Sequence, residues 1–178
     1  NVTRAEMAKM IATVLNQGAD VDGLYVGMNT GLTDVKGHWA ESYINYCYSL
    51  GIIAGRGNGK FDPAATVTGN EAAKMLLVAA GYDPAIEGLT GTDWEINTNA
   101  LASKLGIFRN FKGSVAEPLS RDNAALLIYN ALDVEMIESY TNNGYAMAYS
   151  DARTILSSMY GVYKVEGDRK STRLNSSH

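Results

Sequence analysis

Arg4 and Arg121 stand where helix electrostatics give an arginine no reason to be. Each directly follows a hydroxyl residue, in Thr3-Arg4-Ala5-Glu6 and in Ser120-Arg121-Asp122-Asn123. In both places the arginine would be the first residue of a helix, where the macrodipole disfavours a cation by roughly 0.3–1 kcal/mol. Capping accounts for the neighbours: Thr3 with Glu6, and Thr68 with Glu71, have the spacing of a capping box. It does not account for the arginines. A helix N-terminus offers unpaired N–H groups to an anion, and a guanidinium grips a carboxylate through two parallel hydrogen bonds. The chemistry these positions could perform is therefore carboxylate recognition. The plainer alternative is a surface arginine paired with a neighbouring acid.

Other chemistries find little support. Cys47 is the single cysteine and His38 and His178 are the histidines, so no zinc cluster is expected. No D-x-D-x-D-G calcium loop occurs. Acidic residues are plentiful, but none sits on a recognisable catalytic framework, so neither an enzyme nor a cofactor is expected. Gly55, Gly57 and Gly59 form a G-x-G-x-G string, but without a strand before it or a helix directly after it they read as a turn. A net charge of −4 argues against nucleic acid as the main partner. No run of 18 apolar residues is present, so no membrane-spanning helix is expected. No signal peptide is visible, which says nothing in a chain that starts at Asn1 without a Met.

The elements that must position these residues recur along the chain. Trp39 is followed twelve residues later by Gly51-Ile52, and Trp94 twelve residues later by Gly106-Ile107. After each Gly-Ile comes a polar loop and then an apolar helix, opening at Thr68 and at Ser120. A third such opening stands at Thr3. The unit is a short helix, a glycine turn, a loop and a longer helix, and the chain holds the second half of one unit followed by two whole ones. Met7, Met10, Ile11, Val14 and Leu15 follow helical periodicity. Trp39, Tyr43, Cys47 and Leu50 share one helical face, with Gly51 where a C′ glycine belongs. Ala72 to Ala80 is apolar nearly all round, as in a buried helix, and Gly81 would end it.

Leu32-Thr33-Asp34-Val35, His38-Trp39-Ala40, Gly51-Ile52-Ile53-Ala54-Gly55, Gly59-Lys60-Phe61-Asp62-Pro63 and Thr68 to Glu71 come in an order and spacing that closely resemble the surface-layer-homology signature, over roughly residues 1–135. The resemblance implies an all-α fold in which helix-loop-helix repeats pack as a pseudo-threefold helical unit, here incomplete. It implies a secreted bacterial surface protein held non-covalently in the cell wall or S-layer. The implied partner is peptidoglycan-linked secondary cell-wall polysaccharide, often bearing ketal-linked pyruvate, bound in grooves between repeats. Asp34 and Trp39 would line a groove, with Trp39 offering an apolar face to a sugar ring or else anchoring its own helix, and Arg4 and Arg121 would be the carboxylate-binding residues of their repeats. Two other readings stay open: a self-assembling domain of a surface lattice, or the anchor of an enzyme whose catalytic part lies elsewhere. The repeats also depart from the pattern. Gly69 replaces the arginine in the second, and Asn123 replaces the glutamate in the third.

The expected organisation is the second half of a first repeat over 1–30, a second repeat over 31–91, a third over 92–135, and a linker over 136–167. The linker reads as a loop at Thr141 to Gly144, a short helix from Ser150 to Met159, and a strand at Val162 to Val165 entering a further domain. The last eleven residues, Asp168 to His178, match residue for residue the translation of a common short-read sequencing adapter, and are set apart from the protein's own sequence.

Overall fold

The computed structural model describes residues 1–163. The reading of Asp168 to His178, and part of the strand expected at Val162 to Val165, fall outside those residues. The described chain is mostly helical. The order is α1 (Arg4–Leu15), α2 (Glu41–Ser49), α3 (Gly69–Ala79), α4 (Trp94–Lys104), α5 (Arg121–Ala131), β1 (Ile137–Tyr140), β2 (Ala146–Ala148) and α6 (Ile155–Tyr160).

Three residues tie α1, α3 and α5 together at their starts. Val2, Val67 and Leu119 each stand one residue before an N-cap, namely Thr3, Thr68 and Ser120. The Val2 N–H donates to the Leu119 carbonyl (2.8 Å), the Leu119 N–H to that of Val67 (2.9 Å), and the Val67 N–H to that of Val2 (3.0 Å). The three bonds form a closed ring. All three side chains are buried, so a polar backbone in an apolar place has its donors and acceptors paired internally.

Helix α2 lies against α1, and α4 against α3. Both end in the same way. The Ile52 N–H donates to the Cys47 carbonyl and the Gly51 N–H to that of Tyr48; the Ile107 N–H donates to the Ala102 carbonyl and the Gly106 N–H to that of Ser103. These are Schellman ends, which need a left-handed residue at the glycine, and φ is +71° at Gly51 and +77° at Gly106. The apolar residue after each glycine, Ile52 or Ile107, is thereby turned into the core. Helix α2 begins at Glu41, later than a face running from Trp39 would require. Tyr43 and Cys47 do point inward, but Trp39 and Leu50 are about half exposed. The glycine string at 55–59 is a tight turn, with the Arg56 N–H donating to the Lys60 carbonyl and the Lys60 N–H to that of Gly57.

The region after Leu132 departs from a purely helical fold. β1 and β2 pair as an antiparallel hairpin, and the turn from Thr141 to Gly144 connects them. Alternation over three- and four-residue strands is too short to register as a sequence pattern. The hairpin docks on the end of α3, where the Ile137 N–H donates to the Ala80 carbonyl at 2.9 Å. Gly81 is required there twice over, because φ is +97° and a Cβ would come within 2.5 Å of the Ile137 carbonyl. The final helix starts at Ile155, with Thr154 and Ser157 forming a complete capping box; Ser150 does not cap it. Ile155 is 2% exposed. It lines a small cavity together with Ile11, Val14 and Leu15 of α1, Leu76 and Ala79 of α3, and Ile128 and Ala131 of α5. Residues 136–160 therefore pack on the helical body and close its end opposite the ring.

Truncating that plug tests the packing. Ile155→Ala is expected to destabilise the whole helical body by about 2–5 kcal/mol, read as a lower urea midpoint with an unchanged m-value. An unmoved midpoint would show that residues 136–160 fold apart from the helices.

Candidate functional site

Helices α1, α3 and α5 are each capped by a hydroxyl. Thr3 Oγ1 accepts from the Glu6 N–H, Thr68 Oγ1 from the Glu71 N–H, and Ser120 Oγ from the Asn123 N–H, at 3.1, 3.2 and 3.1 Å. The return half of the expected capping boxes is not formed at Glu6 or Glu71. Those carboxylates turn to arginines instead, because an ion pair with a guanidinium outweighs a second hydrogen bond to a partly solvated backbone N–H.

Arg4 is only 5% exposed. Its Nε donates to the Phe61 carbonyl at 2.9 Å and another guanidinium nitrogen to that of Ala54 at 3.3 Å. A third nitrogen contacts Glu71 at 3.3 Å. The guanidinium also lies over the Phe61 ring, 4.5 Å from its centre. Burial pushes its pKa down and the charge of Glu71 opposes this. The backbone donors of the first turn are engaged as well, the Arg4 N–H with the Ala65 carbonyl and the Ala5 N–H with that of Pro63. The two-pronged receptor expected at this helix start is thus filled by the protein's own carbonyls.

Arg4 instead forms one wall of a pocket of about 310 Å³, with Ile52 and Ile53, Arg56, Glu71, Lys74, Thr90 and Trp94. Arg56 is more open, and its guanidinium meets the other oxygen of Glu71 at 2.8 Å. Glu71 therefore bridges two arginines. Lys74 lies one turn further along α3, its Nζ 5.5 Å from the centre of the Trp94 ring. Burial lowers the Lys74 pKa, and Arg4 adds repulsion. Lys74 has no carboxylate partner among the described residues. Three cations and one anion line this pocket together with an indole, in a chain whose overall charge is negative.

A second cluster reuses the same residue types. Arg121 pairs with Glu6 at 2.9 Å. Lys9 stands 6.0 Å from the Trp39 ring and 5.0 Å from that of Tyr43. Arg121, Glu6 and Lys9 edge an apolar hollow of about 480 Å³ over Met10, Ile128 and Tyr129. Arg121 is 74% exposed, in contrast to Arg4. A third equivalent is sealed. A Cβ on Gly69 would lie 2.8 Å from the Val115 carbonyl oxygen and 2.9 Å from its Cα. That carbonyl accepts from the Asn70 N–H, and Asn123 Nδ2 donates to the Lys112 carbonyl. Residues 112–115 occupy the space an arginine would need.

The structure thus separates the residues picked out in the sequence. Arg4 lines the first pocket, and Trp39 and Arg121 belong to the second cluster. Asp34 lines neither pocket. Its carboxylate accepts from the Phe61 and Asp62 N–H groups at 2.9 and 2.8 Å, and these bonds hold its pKa down against the upward pull of burial. Asp34 shapes the loop that lies on Arg4. His38 Nδ1 accepts from the Ala40 N–H, as a helix-start residue does. Sequence reasoning missed Arg56, Lys74 and the place of Trp94. A signal for one of them was present: Lys9 and Lys74 each lie six residues after a capping threonine.

The sealed position gives a stability test. Glycine to alanine in a helix normally gains about 0.5–1 kcal/mol. Gly69→Ala is expected to lose about 1–3 kcal/mol by overpacking against the Val115 backbone, measured by thermal or urea unfolding. A gain in stability would refute the close approach.

Comparison with known proteins follows the same residues. Residues 31–73 match the S-layer homology domain family. The chain is 30% identical over 138 residues to a cell surface protein of Thermoanaerobacter kivui, covering 77% of this chain and 17% of that protein. It is 31% identical over 143 residues to the middle cell wall protein of Brevibacillus brevis, covering 77% of this chain and 12% of that one. It is also 31% identical over 147 residues to the exoglucanase XynX of Acetivibrio thermocellus, covering 74% of this chain and 13% of the enzyme. The chain spans less than a fifth of the length of each. Residues 31–73 are thus an S-layer homology domain, and the surface-layer and cell-wall proteins the chain resembles place it outside the bacterial cell, at the wall or S-layer.

Proposed function

We propose that this chain anchors its protein to the wall by binding secondary cell-wall polysaccharide, and that the sugar it grips bears a carboxylate such as a pyruvate ketal. The observation that carries the reading is the pocket of Arg4, Arg56, Lys74 and Trp94. It offers two cationic groups within reach of solvent beside an indole on which a sugar ring can lie. Arg4 is committed to the Phe61 and Ala54 carbonyls; its part is to hold Glu71 and the loop in place. Arg56 and Lys74 are the groups that would meet the ligand. The cluster of Arg121, Lys9 and Trp39 repeats the arrangement more openly and would serve as a second, weaker site. The three capped helices radiating from the ring of Val2, Val67 and Leu119 suit a pseudo-threefold unit with two open grooves and one sealed. No catalytic step is assigned to the chain.

Binding is tested with purified wall polymer before and after mild acid removal of its ketals. Arg56→Gln and Lys74→Met should each weaken binding about tenfold, the scale of one charge-assisted hydrogen bond, with unfolding midpoints kept. If the parent binds the ketal-free polymer equally well, the carboxylate reading is wrong. The charge on Lys74 also sets a pH dependence. Its folded pKa is below the ordinary 10.5, so binding should be strong at neutral pH and decline on raising the pH, earlier than an ordinary lysine would titrate. Lys74→Arg, which stays charged, should flatten that decline.

A further inference from the structure

The arginines and glutamates of the three helix starts occur only as pairs. Arg4 of α1 meets Glu71 of α3, and Arg121 of α5 meets Glu6 of α1. The remaining junction, between α3 and the segment leading into α5, has Gly69 in place of the arginine and Asn123 in place of the glutamate. Capping does not explain this distribution, because the Asn123 N–H makes the same bond to its cap as those of Glu6 and Glu71. Neutralising a buried arginine does not explain it either, because Arg121 is largely exposed and still has Glu6. The glutamate goes wherever an arginine lines an open groove, and it is missing where the groove is sealed. In the first groove it is held by two arginines, Arg4 at 3.3 Å and Arg56 at 2.8 Å.

We infer that Glu71 determines the specificity of this groove by occupying, on Arg56, the place that a ligand carboxylate takes. The inference rests on the carboxylate reading of the groove. With Glu71 in place, a lone small anion gains little, since it exchanges one carboxylate for another on the same guanidinium. A carboxylate joined to a sugar adds contact with Trp94 and Lys74 and can complete the exchange. Glu71 thus rejects free anions and admits a carboxylate only as part of a larger ligand. Replacing it with glutamine keeps the length and one acceptor oxygen but removes the competing charge.

The test uses the full chain and follows the indole N–H signals of Trp94 and Trp39 by nitrogen-15 NMR, assigned with Trp94→Phe. The probes are sodium pyruvate, a methyl hexoside bearing a pyruvate ketal, and the methyl ester of that ketal. In Glu71→Gln the pyruvate midpoint read at Trp94 should fall about tenfold, the scale expected of one removed like charge at a partly screened separation. The Trp39 signal, beside an intact Glu6, should keep its midpoint, and the neutral ester should bind as it does to the parent. A midpoint at Trp94 that is unchanged or higher overturns the inference. If Glu71→Gln does not fold, the more exposed Arg56→Gln decides: its pyruvate midpoint at Trp94 should rise about tenfold, and an unchanged value overturns the inference. The underlying reading fails separately, if the ketal glycoside binds the parent no more tightly than free pyruvate while the Glu71→Gln shift persists.

Discussion

Val2, Val67 and Leu119 exchange three backbone hydrogen bonds in a closed ring, and most of what the surface presents follows from that closure. Each residue of the ring is one step from a cap, so the ring fixes where three helices begin and how far apart those beginnings lie. Side chains in the first turn of one helix can then reach the first turn of the next. Arg4 reaches Glu71 across 67 positions of sequence, and Arg121 reaches Glu6 across still more. Neither contact could form locally. They exist because a buried backbone must pair its polar groups, and here the partners available are the other two helix starts.

Charge is shared out unequally around this frame, and packing sets the shares. Arg4 is shielded because Phe61 lies against it and the Asp34 carboxylate holds the Phe61 and Asp62 backbone in place. Arg121 has no comparable cover among the described residues and remains in solvent, where an ion pair contributes little to stability. Gly69 has the backbone of Val115 against it. One structural position is therefore a buried charge, an exposed charge and no side chain at all in three neighbouring settings. Their capacity to hold an anion should differ accordingly.

Much of the helical frame could be read from the residues. Hydroxyl caps, glycine C-termini and apolar periodicity are local signals, and they placed α1, α3, α5 and the Schellman ends at Gly51 and Gly106. The anomaly of Arg4 and Arg121 was also legible, because a cation at a helix start conflicts with the macrodipole. What the arginines do there was not. Their partners are carbonyls and a carboxylate brought in by the ring, and no local pattern encodes that. Lys74 and Trp94 meet only because α4 lies on α3. The hairpin and the true start of α6 were missed because their strands are short and their stability comes from docking on Ala80 and the helix ends. Asp34 belongs to the recurring motif, yet its two bonds to the Phe61 and Asp62 N–H groups mark it as a loop former.

A holdfast is judged by the tension it bears as well as by its affinity. Ile155 sits in the end of the helical body farthest from the ring. Pull applied through the C-terminal side of the chain reaches α6 first. That helix is six residues long and is tied to the body by the bond of its Leu156 N–H to the Leu132 carbonyl and of its Tyr160 hydroxyl to the Val14 carbonyl. Ile155 at its first turn is buried among residues of α1, α3 and α5, so the helix is held by core packing as well as by these bonds. The grooves lie toward the opposite end, at the helix starts. The buried end and the grooves thus lie at opposite ends of the same helices, so strain arriving from the C-terminal side has to cross the packed core before it reaches the groove residues.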